Sequence, residues 1–593
     1  MDSHKEKLNA LRSALKQNSI DAYIIPLSDP HLGENIPDHW KIIPWLTGFT
    51  GSAAAIVITD SFAGFWTDSR YFIQAEIQLA GSGFNLIKPD SLTPSDYTNW
   101  LANNISAGSS IGFDGRILSV TNFRKLEKRL RDKNITFKSD CDLVSDIWKD
   151  RPAMPSSEAW DQQVRFSGKE RSFKITAVRE EMKRVGADLH LLTSVDDIMW
   201  LLNIRGSDLP YSPLCISFAL VGQSQIHLFV DEKKIPENIA SEFTRLGIAI
   251  MPYENTAEII SSFIEGSSII ITPSTTSLSL FNSIPSRFKI IEDISIPSRM
   301  KARKNKTEIG NISMAMIKEG VALTKFFRWI ENNKGLLPMT ELSLAARLQE
   351  MRAEQEEYLG PSFSSIVAIN GHAALPHYSA TPESNATLGD SGILLVDSGG
   401  QYMGGTTDIT RTVSSGNPVQ LQKKDFTLVL KGHIALAKAK FPLGTHGCQI
   451  DMLARKPLWD NGCDYGHGTG HGVGYCLNVH EGPQAISPAD NKTVLETGML
   501  VSNEPGIYRE GEYGIRTENL VICYEDEETE FGHFLKFDTV SLCYIDKSLI
   551  DKSLLNKEEI DWINSYHSEV FEKLSPHLTD EEKLWLKEKT SEL

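Results

Sequence analysis

Apolar positions near the start of the chain fall at helical spacing. Leu8, Leu11 and Leu15 follow a Ser3-x-x-Glu6 capping pattern, which predicts an amphipathic helix. A strand-like run, Ala22-Tyr-Ile-Ile, comes next, and then Trp45-Leu-Thr-Gly-Phe-Thr-Gly-Ser. The same order returns about 166 residues later. Ser167-x-x-Glu170 precedes Ile175, Val178, Met182 and Val185 at helical spacing, followed by Leu189-His-Leu-Leu and Trp200-Leu-Leu-Asn-Ile-Arg-Gly. Amphipathic helices are common, so helix order alone decides little. The matching Trp-Leu segments point to two copies of one α/β domain.

Two junctions bound these copies. Lys149-Asp-Arg-Pro-Ala-Met-Pro-Ser-Ser-Glu reads as a linker. Ile296-Pro-Ser-Arg-Met-Lys-Ala-Arg-Lys-Asn-Lys is a basic run before a long helix that carries Ile312, Met316, Leu323, Phe327 and Ile330 on one face. The expected domains are therefore 1–150, its repeat 151–300, and a third over 301–593. Thr579-x-x-Glu582 opens a last helical extension containing Leu584 and Trp585. The fold class is α/β (α+β).

Composition narrows the function classes. A length of 593 residues suits three or four domains, and 41% hydrophobic with 23% charged residues is ordinary for a globular chain. The formal charge of −17 argues against a nucleic-acid backbone or an anionic membrane surface as partner. Seven cysteines without a CxxC pair suit a reducing compartment. The charged start offers no secretory signal, and no apolar run is long enough to span a membrane, so a cytoplasmic protein is expected. One distribution is uneven. Seven of fifteen histidines (His372, His377, His433, His446, His467, His471 and His480) fall within 109 residues, where even spacing puts about three. Such a cluster fits a metal or acid–base site, and core packing also produces clusters.

Two hairpins then offer two carboxylates each. Ile393-Leu-Leu-Val-Asp397 is a buried-strand pattern, Ser398-Gly-Gly-Gln-Tyr-Met-Gly-Gly is turn material, and Thr406-Thr-Asp408-Ile-Thr-Arg-Thr-Val resumes the sheet. A hairpin centred between Tyr402 and Met403 sets Asp397 opposite Asp408. Paired acids in an apolar setting repel unless a cation lies between them, and solvated loop acids are the bland alternative. Downstream, Met499-Leu-Val-Ser-Asn-Glu504-Pro-Gly and Gly514-Ile-Arg-Thr-Glu518-Asn-Leu-Val-Ile form a second hairpin centred on Gly511, which pairs Glu504 with Glu518. Arg516 shares a strand face with Glu518, so it can orient that acid or a neighbouring one; a structural Arg–Glu pair is the alternative.

A histidine for this cluster comes from Tyr465-Gly-His467-Gly-Thr-Gly-His471-Gly-Val-Gly-Tyr. The i,i+4 histidines match a zinc-binding helix, yet the four glycines oppose one, and Val473 breaks a dinucleotide-loop reading. A glycine-dense chain lets the backbone pass close to an ion or substrate. His471 is taken as ligand and His467 as pocket wall. Asp397, Asp408, His471, Glu504 and Glu518 then make an oxygen-rich set for two divalent ions, Mn²⁺ foremost, with Co²⁺ or Zn²⁺ as substitutes. Two such ions lower the pKa of a shared water and polarise a substrate oxygen, which is hydrolytic chemistry. No Gly-x-Ser-x-Gly elbow surrounds a candidate nucleophile and the cysteines lack a patterned partner, which argues against covalent catalysis.

At these residues the chain resembles the metallopeptidase family with the pita-bread fold, which includes methionine aminopeptidase, prolidase and aminopeptidase P. The resemblance lies in Leu375-Pro-His377-Tyr, Val396-Asp-Ser-Gly, Gly405-Thr-Thr-Asp-Ile-Thr-Arg, His467-Gly-Thr-Gly-His-Gly-Val-Gly, Asn478-Val-His-Glu-Gly-Pro, Asn503-Glu-Pro-Gly and Gly514-Ile-Arg-Thr-Glu-Asn. Phe49-Thr-Gly-Ser and Trp66-Thr-Asp-Ser-Arg-Tyr-Phe-Ile-Gln-Ala resemble the long, three-domain aminopeptidase P form. The resemblance implies two creatinase/prolidase N-terminal-like domains, a pita-bread catalytic domain, a homodimer, and Xaa-Pro aminopeptidase activity on peptides with proline second. It implies Asp408 and Glu518 as bridging ligands, with Asp397, His471 and Glu504 completing the set. It further implies Glu504 as proton shuttle, His377 and His480 as substrate-facing catalytic histidines, and His467 in the substrate pocket, where Arg516 is also placed. Prolidase action on Xaa-Pro dipeptides is the alternative, and creatine hydrolysis is disfavoured because that branch lacks these ligands. A non-catalytic peptide- or protein-binding module is disfavoured because such relatives typically lose ligand residues.

Overall fold

The computed structural model describes residues 3–88 and 96–593. It divides into two compact units: Met1–Asp161, Glu170–Pro210 and Leu214–Pro297 form one, while Gln162–Lys169, Tyr211–Pro213 and Ser298–Leu593 form the other.

The first unit contains two six-stranded sheets of one topology. In the first, the strands run Asn85–Ile87, Ala63–Trp66, Ala55–Thr59, Ala22–Pro26, Ser110–Phe113, Thr136–Lys138. In the second they run Ile248–Met251, Ile226–Phe229, Phe218–Gly222, Leu189–Leu192, Ser268–Ile271, Lys289–Glu292. In each, the fourth strand pairs antiparallel on one side and parallel on the other. These fourth strands are the two runs singled out by their apolar pattern, and burial on both faces explains why they do not alternate. The Trp-Leu segments match as well. Helix Ile42–Thr47 ends at Gly48 and helix Val195–Leu202 at Asn203, both in the left-handed conformation that closes a helix.

Local capping is not duplicated. Ser3 and Glu6 form the expected reciprocal cap. Ser167 instead ends the short helix Val164–Ser167, and helix Arg171–Arg184 starts at Glu170 without a side-chain cap. Gly168, at φ 67°, turns the chain after Ser167, whose hydroxyl donates to the Lys169 carbonyl at 3.1 Å.

The second unit repeats a helix–helix–sheet order. Helices Lys306–Asn333 and Glu341–Ala353 precede the antiparallel strands Ile366–Ile369, Ile393–Ser398 and Ile409–Ser414. Helices Gln420–Ala437 and Gly447–Trp459, with strand Lys440–Pro442 between them, precede Leu500–Asn503, Asn519–Thr529 and Gly532–Thr539; the sheet order is Lys440–Pro442, Gly532–Thr539, Asn519–Thr529, Leu500–Asn503. The five apolar positions expected on the long helix are all buried. The last helix, Asp580–Lys589, has the expected Thr579–Glu582 cap, but its buried residue is Leu586, whereas Leu584 is 71% exposed.

Two buried charge clusters fix this unit internally. Glu319 of the long helix receives Arg352 and accepts from Tyr402 Oη at 3.2 Å and Thr407 Oγ1 at 3.0 Å. Arg352 also donates to Ser398 Oγ at 2.8 Å, so one ion pair clamps both arms of the Asp397–Asp408 hairpin. Within the basic run after Ile296, Lys301 and Lys304 are buried on the two oxygens of Glu481, at 3.0 and 3.1 Å.

Removing one partner of a buried pair leaves a desolvated charge. Glu319→Gln is expected to lower urea-unfolding stability by about 3–5 kcal/mol, whereas Glu569→Gln, in the exposed pair with Lys573, costs at most about 1 kcal/mol. Equal losses would contradict the clamp.

Candidate active site

The second carboxylate hairpin has the expected register. Asn503 lies opposite Asn519 and Gly506 opposite Arg516, so Glu504 faces Glu518 across a turn at Gly511, whose φ is +73°. The first hairpin is shifted. Asp397 lies opposite Thr410 and Tyr402 opposite Gly405, which centres the turn between Met403 and Gly404. The turn forms where two consecutive glycines, Gly404 and Gly405, are available, one residue later than expected. Asp408 therefore continues against Gly399 rather than Asp397. A register change of two keeps side chains on the same face, so the two acids remain diagonal neighbours.

The five expected ligands do converge. Asp397, Asp408 and Glu518 place carboxylate oxygens within 4.8 Å of one another, as do the ligating atoms of His471, Glu504 and Glu518. His471 Nε2 lies 3.3 Å from Asp408 and 3.5 Å from Glu504. Glu518 thus belongs to two groups. Asp408 does too, since it also groups with His471 and His480. Asp397, Asp408 and Glu518 are buried, while His471 and Glu504 are partly open.

Hydrogen bonding fixes the protons. His471 Nδ1 lies 2.9 Å from the Gly472 carbonyl, an acceptor only, so Nδ1 carries the hydrogen and Nε2 turns its lone pair toward the acids. His467 Nδ1 likewise donates to the Gly468 carbonyl at 2.8 Å. Arg516 donates to Tyr508 Oη at 2.8 Å, and Tyr508 passes its own hydrogen to His467 Nε2 at 2.8 Å. Burial lowers the His467 pKa against the raising influence of Glu504, which keeps this ring neutral.

Arg516 orients acids. It donates to Asp397 Oδ2 at 2.5 Å, to Thr410 Oγ1 at 3.1 Å and to the Pro376 carbonyl at 3.4 Å. Thr410 hands its own hydrogen to Glu518 Oε2 at 2.7 Å. Arg516 is 3% exposed and engaged on these partners. The other Asp397 oxygen, Oδ1, is buried without a hydrogen-bond partner among the described residues. Burial, reinforced by Asp408 and Glu504 and opposed by Arg516, pushes the Asp397 carboxyl up to about 6. Burial and the same neighbours hold Glu518 well above the ordinary carboxylate range.

Backbone packs tightly at the glycine-rich loop. A Cβ on Gly470 would sit 1.9 Å from the Ser502 carbonyl oxygen, and one on Gly472 2.0 Å from that of Glu481. The close approach is backbone to backbone, which packs the His471 strand beside the Glu504 strand. His480 reaches the cluster through its ring, 4.4 Å from that of His471 and perpendicular to it. His377 follows Pro376, whose carbonyl receives Arg516, so its segment lies against that arginine.

Several supporting residues had not been singled out. Thr410 and Tyr508 could have been, since each lies an even number of residues along a strand from a ligand. Asp451 and Arg455 hold the histidine loop: Thr469 donates to Asp451, and Arg455 donates to the carbonyls of Tyr465 and His467. His433, fully buried and held neutral with its pKa near 3 chiefly by burial, links the Asn503 carbonyl to the Asn519 side chain. Of the other unassigned histidines, His372 pairs with Glu341 and His446 with Asp490.

Comparison with known proteins bears on this geometry. The model of metallopeptidase family M24 matches residues 311–525, and its C-terminal region matches 533–593. Two creatinase/prolidase N-terminal domain models match 7–143 and 150–308. The chain is 39% identical to the Xaa-Pro aminopeptidase app-1 of Caenorhabditis elegans, over 99% of this chain and 97% of that one. It is 38% identical to the Xaa-Pro aminopeptidase 1 of Dictyostelium discoideum, over 96% and 93%. The crystal structure of X-prolyl aminopeptidase from C. elegans, described as a cytosolic enzyme with a di-nuclear active site, superposes with a TM-score of 0.96 at 36% identity over the whole of both chains.

Raised carboxyl pKa values give a signed prediction. Below about pH 6 the Asp397 oxygen holds a proton that a cation must displace, so divalent affinity falls as pH falls through that value. Calorimetric titration of metal-free protein with Mn²⁺ is expected to show weaker binding and greater proton release at pH 5.5 than at pH 7.5. Equal affinities would contradict the assignment.

Proposed function

The chain belongs to metallopeptidase family M24, and from that premise we infer that it is an Xaa-Pro aminopeptidase. It is a hydrolase that releases the N-terminal residue from peptides whose second residue is proline. The observation that carries this reading is the pair of shared carboxylates, Asp408 and Glu518, between two groups of ligating atoms.

The donor set fits two divalent ions. Four carboxylates gather with one arginine on a single oxygen, and the unpartnered Asp397 Oδ1 is an acceptor awaiting a positive charge. We assign Asp397, Asp408 and Glu518 to one ion and Asp408, His471, Glu504 and Glu518 to the other. An oxygen-rich set with one imidazole favours Mn²⁺, with Co²⁺ or Zn²⁺ as substitutes. Bound there, the ions supply Lewis acidity and make a water nucleophilic at neutral pH.

The chain's own groups supply the rest. Arg516 pins Asp397 directly and Glu518 through Thr410, so both acids are oriented before substrate arrives. Glu504 is partly open, which lets its carboxylate take a proton from the attacking water and pass it to the departing proline nitrogen. His480 and His377 are assigned to hydrogen-bond the scissile carbonyl and the charge that develops on it. His467, neutral and engaged at both nitrogens, lines the pocket as a shaped wall.

Domains at 1–150, 151–300 and 301–593, a homodimer and peptide substrates belong to the same reading, with the first two sheets as its duplicated N-terminal part. Seven free thiols and the cytosolic C. elegans relative support a cytoplasmic location. The charge of −17 supports the exclusion of nucleic acid and anionic membrane as partners. No helix among the described residues is long and apolar enough to cross a membrane.

With Mn²⁺ present, Arg-Pro-Pro is expected to release arginine faster than Arg-Pro does, by chromatographic product analysis. Preference for the dipeptide would turn the assignment to prolidase. His480→Ala should lower kcat by about 10²–10³ with metal content unchanged. A full-rate variant would remove His480 from the reaction.

A further inference from the structure

A second group of ligating side chains stands apart from the acid cluster. His446, Cys448 and Asp490 place an imidazole nitrogen, a thiol sulfur and a carboxylate oxygen within 4.8 Å of one another. They come from two segments: His446 and Cys448 from the start of helix Gly447–Trp459, and Asp490 from the loop after strand Ala485–Ile486. His446 Nδ1 lies 3.0 Å from Asp490 Oδ1, and the Cys448 sulfur lies within 4.8 Å of both side chains' ligating atoms. None of these residues enters the hydrolytic site described above.

We propose that His446, Cys448 and Asp490 form a separate binding site for one thiophilic divalent ion, of the Zn²⁺ or Co²⁺ class. The donor chemistry selects the ion. Sulfur and imidazole with a single carboxylate suit Zn²⁺ or Co²⁺, whereas Mn²⁺, Mg²⁺ and Ca²⁺ favour oxygen-rich sets. Bonds of about 2.0–2.3 Å to such ligands require donor–donor edges of roughly 3.4–3.7 Å in a tetrahedron, so small side-chain movements close the site. Charge balances as well. On binding, the thiol releases its proton to solvent as the metal–sulfur bond forms, and thiolate plus carboxylate neutralise the dication. Solvent takes the remaining position, since Asp490 is exposed and Cys448 and His446 are half-buried.

The location gives the site a consequence. Strand Ala485–Ile486 pairs with Gly470–His471, His471 opposite Ala485. The helix start packs on the same strand: a Cβ on Gly447 would lie 1.9 Å from the Ala485 carbonyl oxygen. An ion at the three side chains therefore ties the loop beyond that strand to the helix whose Asp451 and Arg455 hold the histidine loop.

Sulfur separates this site from the acid cluster, which contains none. Protein already saturated with Mn²⁺ is titrated with Co²⁺ and followed by near-ultraviolet absorption. A thiolate-to-cobalt charge-transfer band is expected to rise to one equivalent in the wild type and to be absent in Cys448→Ser. His446→Gln should weaken cobalt binding at least tenfold. Mn²⁺-supported peptidase activity, which these residues do not serve directly, checks that each variant is folded. No band in the wild type, or an undiminished band in folded Cys448→Ser, overturns the proposal. A band that persists with unaltered affinity in His446→Gln overturns it for the three-ligand site.

Discussion

Like charges brought together out of water set the terms for this protein. Three buried acids, Asp397, Asp408 and Glu518, meet a fourth at Glu504, with Arg516 donating to one oxygen. At the spacings observed, such a group either takes up protons or takes up cations. The raised pKa values of Asp397 and Glu518 express the first outcome, and the unpartnered Asp397 Oδ1 marks room for the second. Metal binding is thus the way a cluster that opposes its own ionisation becomes stable at neutral pH.

The surrounding structure holds these acids against their repulsion. Each arrives on an antiparallel hairpin, and each hairpin is fastened from behind. The first is clamped at Ser398 and Thr407 by the buried Arg352–Glu319 pair. The second is tied at Asn503 and Asn519 by His433. Arg411 spreads its donors over Asn519 Oδ1 and the carbonyls of Thr410, Glu518, Cys543 and Tyr544. Lys301 and Lys304 fix Glu481 beside His480 in the same manner. Positioning reaches the chemistry through residues that need touch no substrate.

Much of this was legible in the sequence because period and symmetry are local. The duplicated sheets could be read from Ala22-Tyr-Ile-Ile and Leu189-His-Leu-Leu, whose unbroken apolar runs reflect burial on both faces. Glu504 and Glu518 could be paired because a single turn glycine, Gly511, lies midway between them. Asp397 and Asp408 were paired two residues out of register, since four glycines within 399–405 left the turn position open. The even shift kept the face. What could not be read is long-range: the destination of Arg516, the role of His433, and the burial of two lysines in the basic run before the long helix. The glycines around His471 permit close approach, and neighbouring backbone packs on Gly470 and Gly472, which no local pattern encodes.

The central claim is that two adjacent cations sit between the hairpins, shared by Asp408 and Glu518. The most direct measurement is anomalous X-ray diffraction from crystals of the Mn²⁺-loaded protein, collected on either side of the manganese edge. The account predicts two anomalous peaks about 3.5–4 Å apart, with Asp408 and Glu518 touching both, Asp397 touching one and His471 the other. A single peak, or manganese found only away from these acids, would contradict it.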